Sequence, residues 1–369
     1  MQTDRNYKSS PKNIADDNPR GEMMKKKQII AIIIILIILT GGGIWYLQSV
    51  QQPSYKTLKD ITIGTGKNAA STLLIVAKDK GYFAQHGLNV TFSQPPSASA
   101  VMQDLLNRKN DFVFVNEYEI SDPNLYNKNV RVIGTLSESD VNFIVARKDR
   151  GIVQVQELKG KKIGVTKGSI REYFLDRFFV LNGLPLSNVT VINLQLAPLV
   201  NATVNGDIDA SFSSEPYVYQ MRQQMGENAV VWPVSLGQHA HFSLVCNEIT
   251  LREHPEIVEA VLASVLEAET YVNSHPEEAK KVVQTLTNFD DQYMDQDWQN
   301  HRFAVTLSQS LITSMKDETR WRIRRNMTNA TDIPDFSKYI SADTLYKLKP
   351  SAVTLIRCCL LYTSPSPRD

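Results

Sequence analysis

Each of two short loops in this sequence carries hydroxyl side chains and one lysine, and each leads into an apolar helical segment. The first loop reads GTGKNAAST over residues 64–72, and the second reads VTKGSI over residues 165–170. The unpaired N–H groups and the dipole of a helix N-terminus favour anions, so each loop suits an oxyanion such as a sulfonate. The candidate ligand-binding residues are Thr65, Lys67, Asn68 and Ser71 in the first loop and Thr166, Lys167, Gly168 and Ser169 in the second. Serine and threonine at such positions also act as plain helix N-caps, and this alternative stays open for each residue.

Two later segments place carboxylates after strand-like runs. The segment FVNEYE carries Asn116 and Glu117, and the segment FSSEPY carries Ser213, Ser214 and Glu215. A carboxylate repels a simple anion but attracts an amine or a ring N–H. Lysines and carboxylates together therefore favour a zwitterion, such as an aminosulfonate, or a heterocycle with hydrogen-bond donors. The alternative is that each glutamate pairs with a lysine or caps a helix.

The composition, and the absence of several motifs, argue against nucleic-acid binding, metal binding and catalysis. The chain has 369 residues, 40 basic and 39 acidic residues, and a formal net charge of +1, which gives no support to a nucleic-acid partner. It has three cysteines, and no Cys/His cluster has the spacing of a zinc site. The sequence contains neither GxSxG nor HExxH. We therefore expect no enzyme activity and no cofactor or metal.

The elements that must position these residues alternate between strand and helix. DITIGTG, LNVTFSQ and DFVFVNE have the composition of short strands, and amphipathic helical segments separate them. The same order returns from GKKIGVTKGSI to DASFSSEP. This β-α-β-α-β pattern is typical of a parallel sheet covered by helices. Two such units predict an α/β protein with two lobes.

The stretch DKGYFAQHGLNV, residues 79–90, joins a helix to the next strand of the first unit. Gly81 can adopt the left-handed conformation that ends a helix. We expect Tyr82 and Phe83 to pack the end of that helix against the sheet, and so to seal the lobe without contacting a ligand.

Several segments resemble one protein family in the same order along the chain. They are LLIVAKDKGYFAQHGLNVTF, LKGKKIGVTKGSIREYFLDRFFVLNGL, VNGDIDASFSSEPYV and HPEIVEAVLASVLEAETYVNSHPEEAKKVV. They resemble the substrate-binding proteins of ABC importers for nitrate, taurine and aliphatic sulfonates, whose relatives bind pyrimidine precursors of thiamine. The resemblance runs from about Leu58 to Arg357.

The resemblance implies the type 2 periplasmic-binding-protein fold, in which two α/β lobes are joined by two crossover strands. Lobe 1 would comprise residues 58–146 and 246–357, and lobe 2 would comprise residues 147–245. The crossover strands would be 142–149 and 242–248. The ligand would then lie in the cleft between the lobes, where the two lysine-bearing loops face each other. His239 and His241 precede the second crossover, and we expect them to pack at the hinge and not to bind a metal.

The family also implies a function. The chain would be an extracytoplasmic solute-binding protein that captures a small anionic or zwitterionic nutrient and delivers it to an ABC permease and ATPase. The alternatives are a binding protein for a thiamine pyrimidine precursor, an enzyme of the same fold in pyrimidine synthesis, and a ligand-sensing module.

The two ends of the chain differ from the rest. Lys25, Lys26 and Lys27 precede an apolar run from Ile29 to Leu47, long enough to span a bilayer. This pattern predicts a cytoplasmic segment at 1–27 and a transmembrane anchor at 28–48, with the binding domain outside the cell membrane. A cleaved signal peptide is the alternative. Residues 358–369 begin with Cys358 and Cys359, and we expect this tail to lie outside the fold.

Overall fold

The alternating apolar segments fold into strands and helices that build two sheets. The computed structural model describes residues 58–66, 68–125, 128–140, 142–234 and 237–356. The strands are β1 (Lys59–Gly64), β2 (Leu88–Ser93), β3 (Phe112–Asn116), β4 (Val130–Ser139), β5 (Asn142–Arg147), β6 (Lys162–Val165), β7 (Thr190–Asn193), β8 (Ala210–Ser214), β9 (Ala229–Pro233), β10 (Ala240–Asn247), β11 (His301–Ser308) and β12 (Val353–Thr354).

Helices connect most of these strands. They are α1 (Thr72–Asp79), α2 (Tyr82–Gln85), α3 (Ala98–Leu106), α4 (Glu117–Ile120), α5 (Ile170–Leu181), α6 (Leu196–Asn205), α7 (Tyr217–Met225), α8 (Glu248–Glu253), α9 (Pro255–Ser274), α10 (Pro276–Thr287), α11 (Asp291–Trp298), α12 (Gln309–Arg324) and α13 (Asp343–Leu348). Among the described helices, none is both long and apolar enough to cross a membrane.

Each sheet belongs to one lobe. Lobe 1 has a seven-stranded sheet in the order β12-β11-β4-β10-β3-β1-β2, and lobe 2 has a five-stranded sheet in the order β7-β6-β8-β5-β9. In lobe 1, β1 is parallel to β2 and β3. In lobe 2, β6 is parallel to β7 and β8. The two repeated β-α-β units are thus the parallel halves of the two sheets.

The chain passes between the sheets twice, and both passages lie a few residues before the expected crossover strands. The first passage lies between the end of β4 at Ser139 and the start of β5 at Asn142, and the second lies between the end of β9 at Pro233 and the start of β10 at Ala240. The segments 142–149 and 242–248 instead contribute strands that pair within one sheet each. Both are β-rich because they are buried central strands, and that composition does not distinguish a central strand from a crossover. Asp140 and His239 connect the two passages, with 2.8 Å between Oδ1 and Nδ1.

Each lobe has its own apolar core, and α12 links them. The lobe 1 core includes side chains of β1, β3, β4, α1 and α9. The lobe 2 core includes the apolar face of α5 together with Trp321, which comes from α12 after the chain has returned to lobe 1. The Trp321 indole N–H donates to Asp176 Oδ2 on α5 at 2.7 Å. Helix α12 therefore ties the lobes together.

The turn between α1 and β2 has the structure that its sequence predicts. Gly81 adopts φ +73°, in the left-handed region, between α1 and the short helix α2. Phe83 is 2% exposed in the lobe 1 core, and Tyr82 packs partly buried against the same core. The prediction that these aromatics pack within the lobe is confirmed, and the prediction that they do not contact a ligand stays a prediction.

Some predictions fall outside the described residues. The cytoplasmic segment 1–27, the anchor at 28–48, the tail at 358–369 and the candidate Lys67 all lie there.

Candidate functional site

The predicted site residues follow the ends of four strands. β1 and β3 in lobe 1, and β6 and β8 in lobe 2, are each followed by one of the four predicted segments. Because these strands are parallel within each sheet, their carboxyl ends lie on one edge, where open α/β sheets place their ligand sites. The structure brings the candidate residues to the corresponding edge of each lobe.

In the lobe 1 loop, the hydroxyl groups are bound to each other and to the backbone. Thr65 Oγ1 and Ser71 Oγ are 2.9 Å apart, and Ser71 Oγ donates to the Gly66 carbonyl oxygen at 3.0 Å. Ser71 also lies 3.4 Å from Asn68 Oδ1. Thr65 and Ser71 are buried. These contacts shape the loop, and a ligand contact by these residues stays a prediction.

In the lobe 2 loop, the start of α5 is capped by the chain's own oxygens. Ser169 Oγ accepts the Arg171 N–H at 3.3 Å and donates to the Thr166 carbonyl oxygen at 2.6 Å. The Gly168 N–H donates to Glu172 Oε2 at 2.8 Å. Lys167 is exposed. This helix start already holds a carboxylate, so little of its anion-binding capacity is left for a ligand.

A cation that the sequence analysis missed lies beside this loop. Arg171, in the first turn of α5, donates from Nη2 and Nε to Ser214 Oγ at 3.0 and 3.4 Å. Among the described residues it has no ion-pair partner. The pKa of the guanidinium is lowered, chiefly because burial disfavours its charge, while Tyr217 and Glu119 act in the opposite direction. A partly desolvated cation with only a hydroxyl partner is suited to an anionic ligand.

The end of β8 provides further polar groups near Arg171. Ser213 is buried, and its Oγ has no hydrogen-bond partner among the described residues. Burial raises the pKa of the Glu119 carboxyl on α4 of lobe 1 to about 6, while the charge of Arg322 and, less strongly, that of Arg171 lower it. Ser213, Ser214, Arg171 and Glu119 thus form a polar group to which both lobes contribute.

Asn116 and Glu117 have structural roles at the hinge. Asn116 Oδ1 accepts the Tyr118 N–H at 3.1 Å and so caps α4. Glu117 is fully buried, and its Oε2 accepts the backbone N–H of His241 at 2.7 Å. Its charge is the second cause, after burial, that raises the pKa of Glu318 on α12 well above the usual range. Glu117 thus accepts a backbone N–H from a strand, which is neither the lysine pair nor the helix cap of the alternative, and a ligand contact by Glu117 stays a prediction.

His241 and His239 lie where the chain returns to lobe 1. The pKa of His241 is raised: burial lowers it, but the carboxylates of Glu117 and Glu138 raise it by more. In the described part of the chain, no group of three or more His, Cys, Asp or Glu side chains could hold a metal ion.

Glu215 caps the helix that follows it. Its Oε2 accepts the Tyr219 N–H in the first turn of α7 at 2.9 Å. Burial raises the pKa of this carboxyl to about 7, and the negative charge of Asp297 in lobe 1 raises it as well. Asp297 is the second site residue that the sequence analysis missed.

Arg171 and Asp297 share a sequence signal that could have revealed them. Arg171 lies three, four and seven positions before the buried Phe174, Leu175 and Phe178, so it shares their helix face. Asp297 lies four and three positions after the buried Tyr293 and Met294. A charged residue within the apolar stripe of a helix is rarely buried without a partner, and both positions could have been marked on that ground.

Comparisons with known proteins agree with the resemblance in the sequence. The family model described as NMT1/THI5 like matches residues 68–279. The putative aliphatic sulfonates-binding protein of Bacillus subtilis (strain 168) is 27% identical over 247 residues, covering 65% of this chain and 74% of that protein. The 4-amino-5-hydroxymethyl-2-methylpyrimidine phosphate synthase of Aspergillus parasiticus is 27% identical over 217 residues, covering 55% and 63%.

A solved structure shows the same fold. The periplasmic aliphatic sulphonate binding protein SsuA from Escherichia coli matches with a TM-score of 0.67 at 15% identity, covering 76% of this chain and 97% of that one. The protein therefore has a mixed α/β fold like that of periplasmic binding proteins. Because the family model matches more than half of the chain, the predicted resemblance is confirmed and the chain belongs to the NMT1/THI5-like family.

Proposed function

We propose that this protein is the solute-binding component of an ABC importer, with a type 2 periplasmic-binding fold that takes a small organic anion between its lobes. The observation that carries the proposal is the Arg171 guanidinium, which lies on lobe 2 with Ser214 as its hydrogen-bond partner and no described carboxylate paired to it. The sulfonate-binding relative and the shared fold support it. A sulfonate supplies the oxygens that a guanidinium binds through two parallel hydrogen bonds.

The test compares two cations at the start of α5. The full chain is titrated calorimetrically with ethanesulfonate, 2-aminoethanesulfonate and nitrate, first as the native protein and then as Arg171→Gln and Lys167→Gln. Charge-assisted hydrogen bonds contribute roughly 1.5–3 kcal/mol each, so Arg171→Gln should weaken sulfonate binding about tenfold or more. Lys167 is exposed, and its substitution should change the affinity by less than about threefold.

Two results would overturn this proposal. If no anion binds the native protein, the solute-binding function is wrong for this ligand class. If Lys167→Gln loses binding while Arg171→Gln keeps it, the anion lies on the exposed loop, as the sequence alone predicts.

The synthase relative supports a second candidate, an enzyme or a binding protein for a pyrimidine precursor of thiamine. Cys246, a possible nucleophile by type, is fully buried in β10, and burial raises the pKa of its thiol to about 12. A thiol so far from ionisation is a poor nucleophile. Incubation with aminopyrimidines followed by mass spectrometry separates the two: recovered ligand supports binding, and a new product supports the enzyme.

We also propose that the apolar run at 28–48 anchors the protein in the cell membrane, with the binding domain outside. The run is long enough to span a bilayer and has lysines on one side. Fractionation of cells, with mass determination of the mature protein, tests this. A soluble species that begins near residue 50 would show a cleaved signal peptide.

A further inference from the structure

Helix α12 carries a polar stripe along the hinge between the lobes. One polar residue stands at every fourth position, so the stripe lies on one side of the helix; its members are Ser310, Ser314, Glu318 and Arg322. Ser310 Oγ lies 3.1 Å from His241 Nε2 at the start of β10. Gln238, in the second chain passage, donates to Ser314 Oγ at 3.4 Å and accepts the Tyr173 hydroxyl of lobe 2 at 3.1 Å. The stripe therefore contacts the hinge and, through Gln238, lobe 2.

Glu318 is the fully buried member of the stripe, and its contacts indicate that it carries a proton. Ser121 Oγ lies 3.0 Å from Glu318 Oε2 and 3.0 Å from the Tyr118 carbonyl oxygen. A serine hydroxyl has one hydrogen, so it can donate to only one of these two oxygens. Both contacts are hydrogen bonds when Glu318 is protonated and donates to Ser121, while Ser121 donates to Tyr118. An ionised Glu318 leaves one of the two contacts without a hydrogen.

Glu117, a second fully buried carboxyl, lies one helical turn from Ser121. The Ser121 N–H donates to the Glu117 carbonyl oxygen at 2.8 Å, so both glutamates contact this serine. Glu117 Oε2 accepts the His241 N–H at 2.7 Å, and Oε1 is 3.5 Å from His241 Nδ1. In each glutamate Oε1 is buried and has no hydrogen-bond partner among the described residues. Burial therefore disfavours the ionised form of both carboxyls together.

The adjacent cation, Arg322, forms an ion pair with neither of these two carboxyls. It donates from Nη2 to the Tyr118 carbonyl oxygen at 2.9 Å and from Nη1 to Ser121 Oγ at 3.3 Å. Its guanidinium lies 3.7 Å from the centre of the Tyr118 ring. Burial and then the charge of Glu117 raise the pKa of Glu318 well above its usual range, although Arg322 and Ser121 lower it. The contacts and the charges thus agree that the folded hinge holds a proton.

The titratable and charged groups around Glu318 come from five elements, and the acidic groups outnumber the basic ones. They are Glu117 and Glu119 on α4, Glu138 on β4, His241 on β10, Tyr173 and Arg177 on α5, and Asp317 and Arg322 on α12. The Tyr173 hydroxyl also has a raised pKa, caused by burial and then by the charge of Glu318. A proton on Glu318 therefore reduces the negative charge of a buried region.

We propose that Glu318 and Glu117 form a buried proton-binding site at the hinge, and that the lobes take up a proton there when they close on a ligand. Trp321, one turn after Glu318 on α12, packs against Tyr173 of lobe 2 with 5.6 Å between ring centroids. A hinge rotation that opens this contact would admit water to Glu318 and let it ionise. The coupling to a ligand rests on the proposed function, whereas the proton site itself does not.

Ligand affinity should therefore fall as the pH rises, because the closed form binds a proton that the open form releases. The full chain is titrated with ethanesulfonate at about pH 6 and about pH 9.5, on either side of the values of about 8–9 that buried glutamates reach. The native protein is compared with Glu318→Gln, which stays neutral and can donate to Ser121 at both pH values. From the lower to the higher pH, the native affinity should fall about tenfold or more relative to that of the variant. Glu119 and Glu215, whose pKa values are also raised, are the same in both proteins and cancel.

A matched control comes from lobe 1. Glu269 is also buried but pairs with Lys349, with 2.7 Å between Oε1 and Nζ. Glu269→Gln makes the same chemical change at a carboxyl that has its own cation, so it should keep the native pH dependence. Thermal melts of each variant verify folding. Glu117→Gln, which removes the other charge of the site, supplies the comparison if Glu318→Gln does not fold.

Amide hydrogen exchange tests the proton site without a ligand. At one pH the intrinsic exchange rates of the native protein and of Glu318→Gln are nearly the same, so a difference between the two proteins reports opening of the hinge. The α12 amides should exchange equally in both proteins at about pH 6, and at least about threefold faster in the native protein at about pH 9.5.

The two measurements separate this inference from the proposed function. If the native protein and Glu318→Gln show the same pH dependence of affinity and of exchange, the proton site is wrong and the anion site stands. A difference in only one of the two measurements would also overturn the inference, because the proton and the closure would then not be coupled. If no anion binds, the proposed function is overturned, and hydrogen exchange alone decides the proton site.

Discussion

The raised pKa of Glu215 makes the stability of this protein depend on pH at one identifiable residue. Its folded-state pKa is about 7, against 4.5 for an ordinary glutamate. Between these values the folded state binds more protons than the unfolded state, so the contribution of Glu215 to stability falls as the pH rises from about 4.5 to 7. Without a ligand, the free energy of unfolding of Glu215→Gln, taken relative to that of the native protein, should therefore rise by about 1–2 kcal/mol from pH 5 to pH 8.

Urea unfolding of both proteins at the two pH values measures this difference. The other buried carboxyls of raised pKa, Glu119 and Glu318, are the same in both proteins and cancel. A difference in unfolding free energy that is equal at pH 5 and pH 8 would show that Glu215 stays ionised in the fold.

At the residue scale, sequence reasoning located the strand ends but not the charges that matter there. The sequence shows Thr65, Ser71 and Ser169 as hydroxyls near helix starts, and in the structure these hydroxyls bond to neighbours in the chain. Arg171 and Asp297 come from different lobes, and their burial and their contacts with Ser214 and Tyr293 depend on packing between segments that are distant in the chain. The sequence shows which residues are charged, but their desolvation appears only in the fold.

At the scale of elements, the α1–α2 turn offers a test of what holds the end of lobe 1. Phe83 is 2% exposed, while Tyr82 is only partly buried. Phe83→Ala should lower the free energy of unfolding by about 3–5 kcal/mol, because it leaves a cavity in the core. Tyr82→Phe removes only a hydroxyl and should change it by less than about 1 kcal/mol.

Chemical denaturation of the two variants measures these values, and sulfonate titration of the folded fraction accompanies it. The affinity should be the same in both, because the turn lies in the lobe 1 core. If Phe83→Ala melts like the native protein yet loses binding, this turn belongs to the ligand site.

Helices and turns that have a local pattern in the sequence are predictable. The sheet that each strand joins is harder to predict. The α1 segment has an apolar face and ends at a glycine in the left-handed region, and both features are local. The β-rich composition of segments 142–149 and 242–248 predicts strands but does not show which sheet each strand joins. Their pairing partners, β8 and β9 for the first and β3 and β4 for the second, are far away in the chain. Register between distant strands is set by tertiary packing, which a single sequence does not display.

At the scale of the whole molecule, the sequence predicted two α/β lobes because each lobe repeats one β-α-β pattern. It did not predict that α12 would join them. Trp321 packs in the lobe 2 core against Tyr173, with ring centroids 5.6 Å apart, and also faces Tyr118 of lobe 1 at 6.3 Å. Trp321, Tyr173 and Tyr118 therefore form a buried aromatic group shared by the lobes, and the Tyr219 and Tyr293 rings, with 5.5 Å between centroids, make a further contact between them.

This shared group should make the two lobes unfold together. Trp321→Ala removes the aromatic bridge and the hydrogen bond to Asp176, and it should lower the melting temperature and split the calorimetric transition into two, one for each core.

Trp298→Ala is the matched control, because Trp298 packs against Phe303 within lobe 1. That variant should melt earlier but in one transition, since the coupling through α12 remains. If Trp321→Ala also melts in one transition, the other contacts between the lobes, such as the packing of Tyr219 on Tyr293, couple them without the aromatic bridge of Trp321. If the calorimetric transition of Trp298→Ala also splits into two, the second transition reflects lower stability of lobe 1 and not a loss of coupling between the lobes.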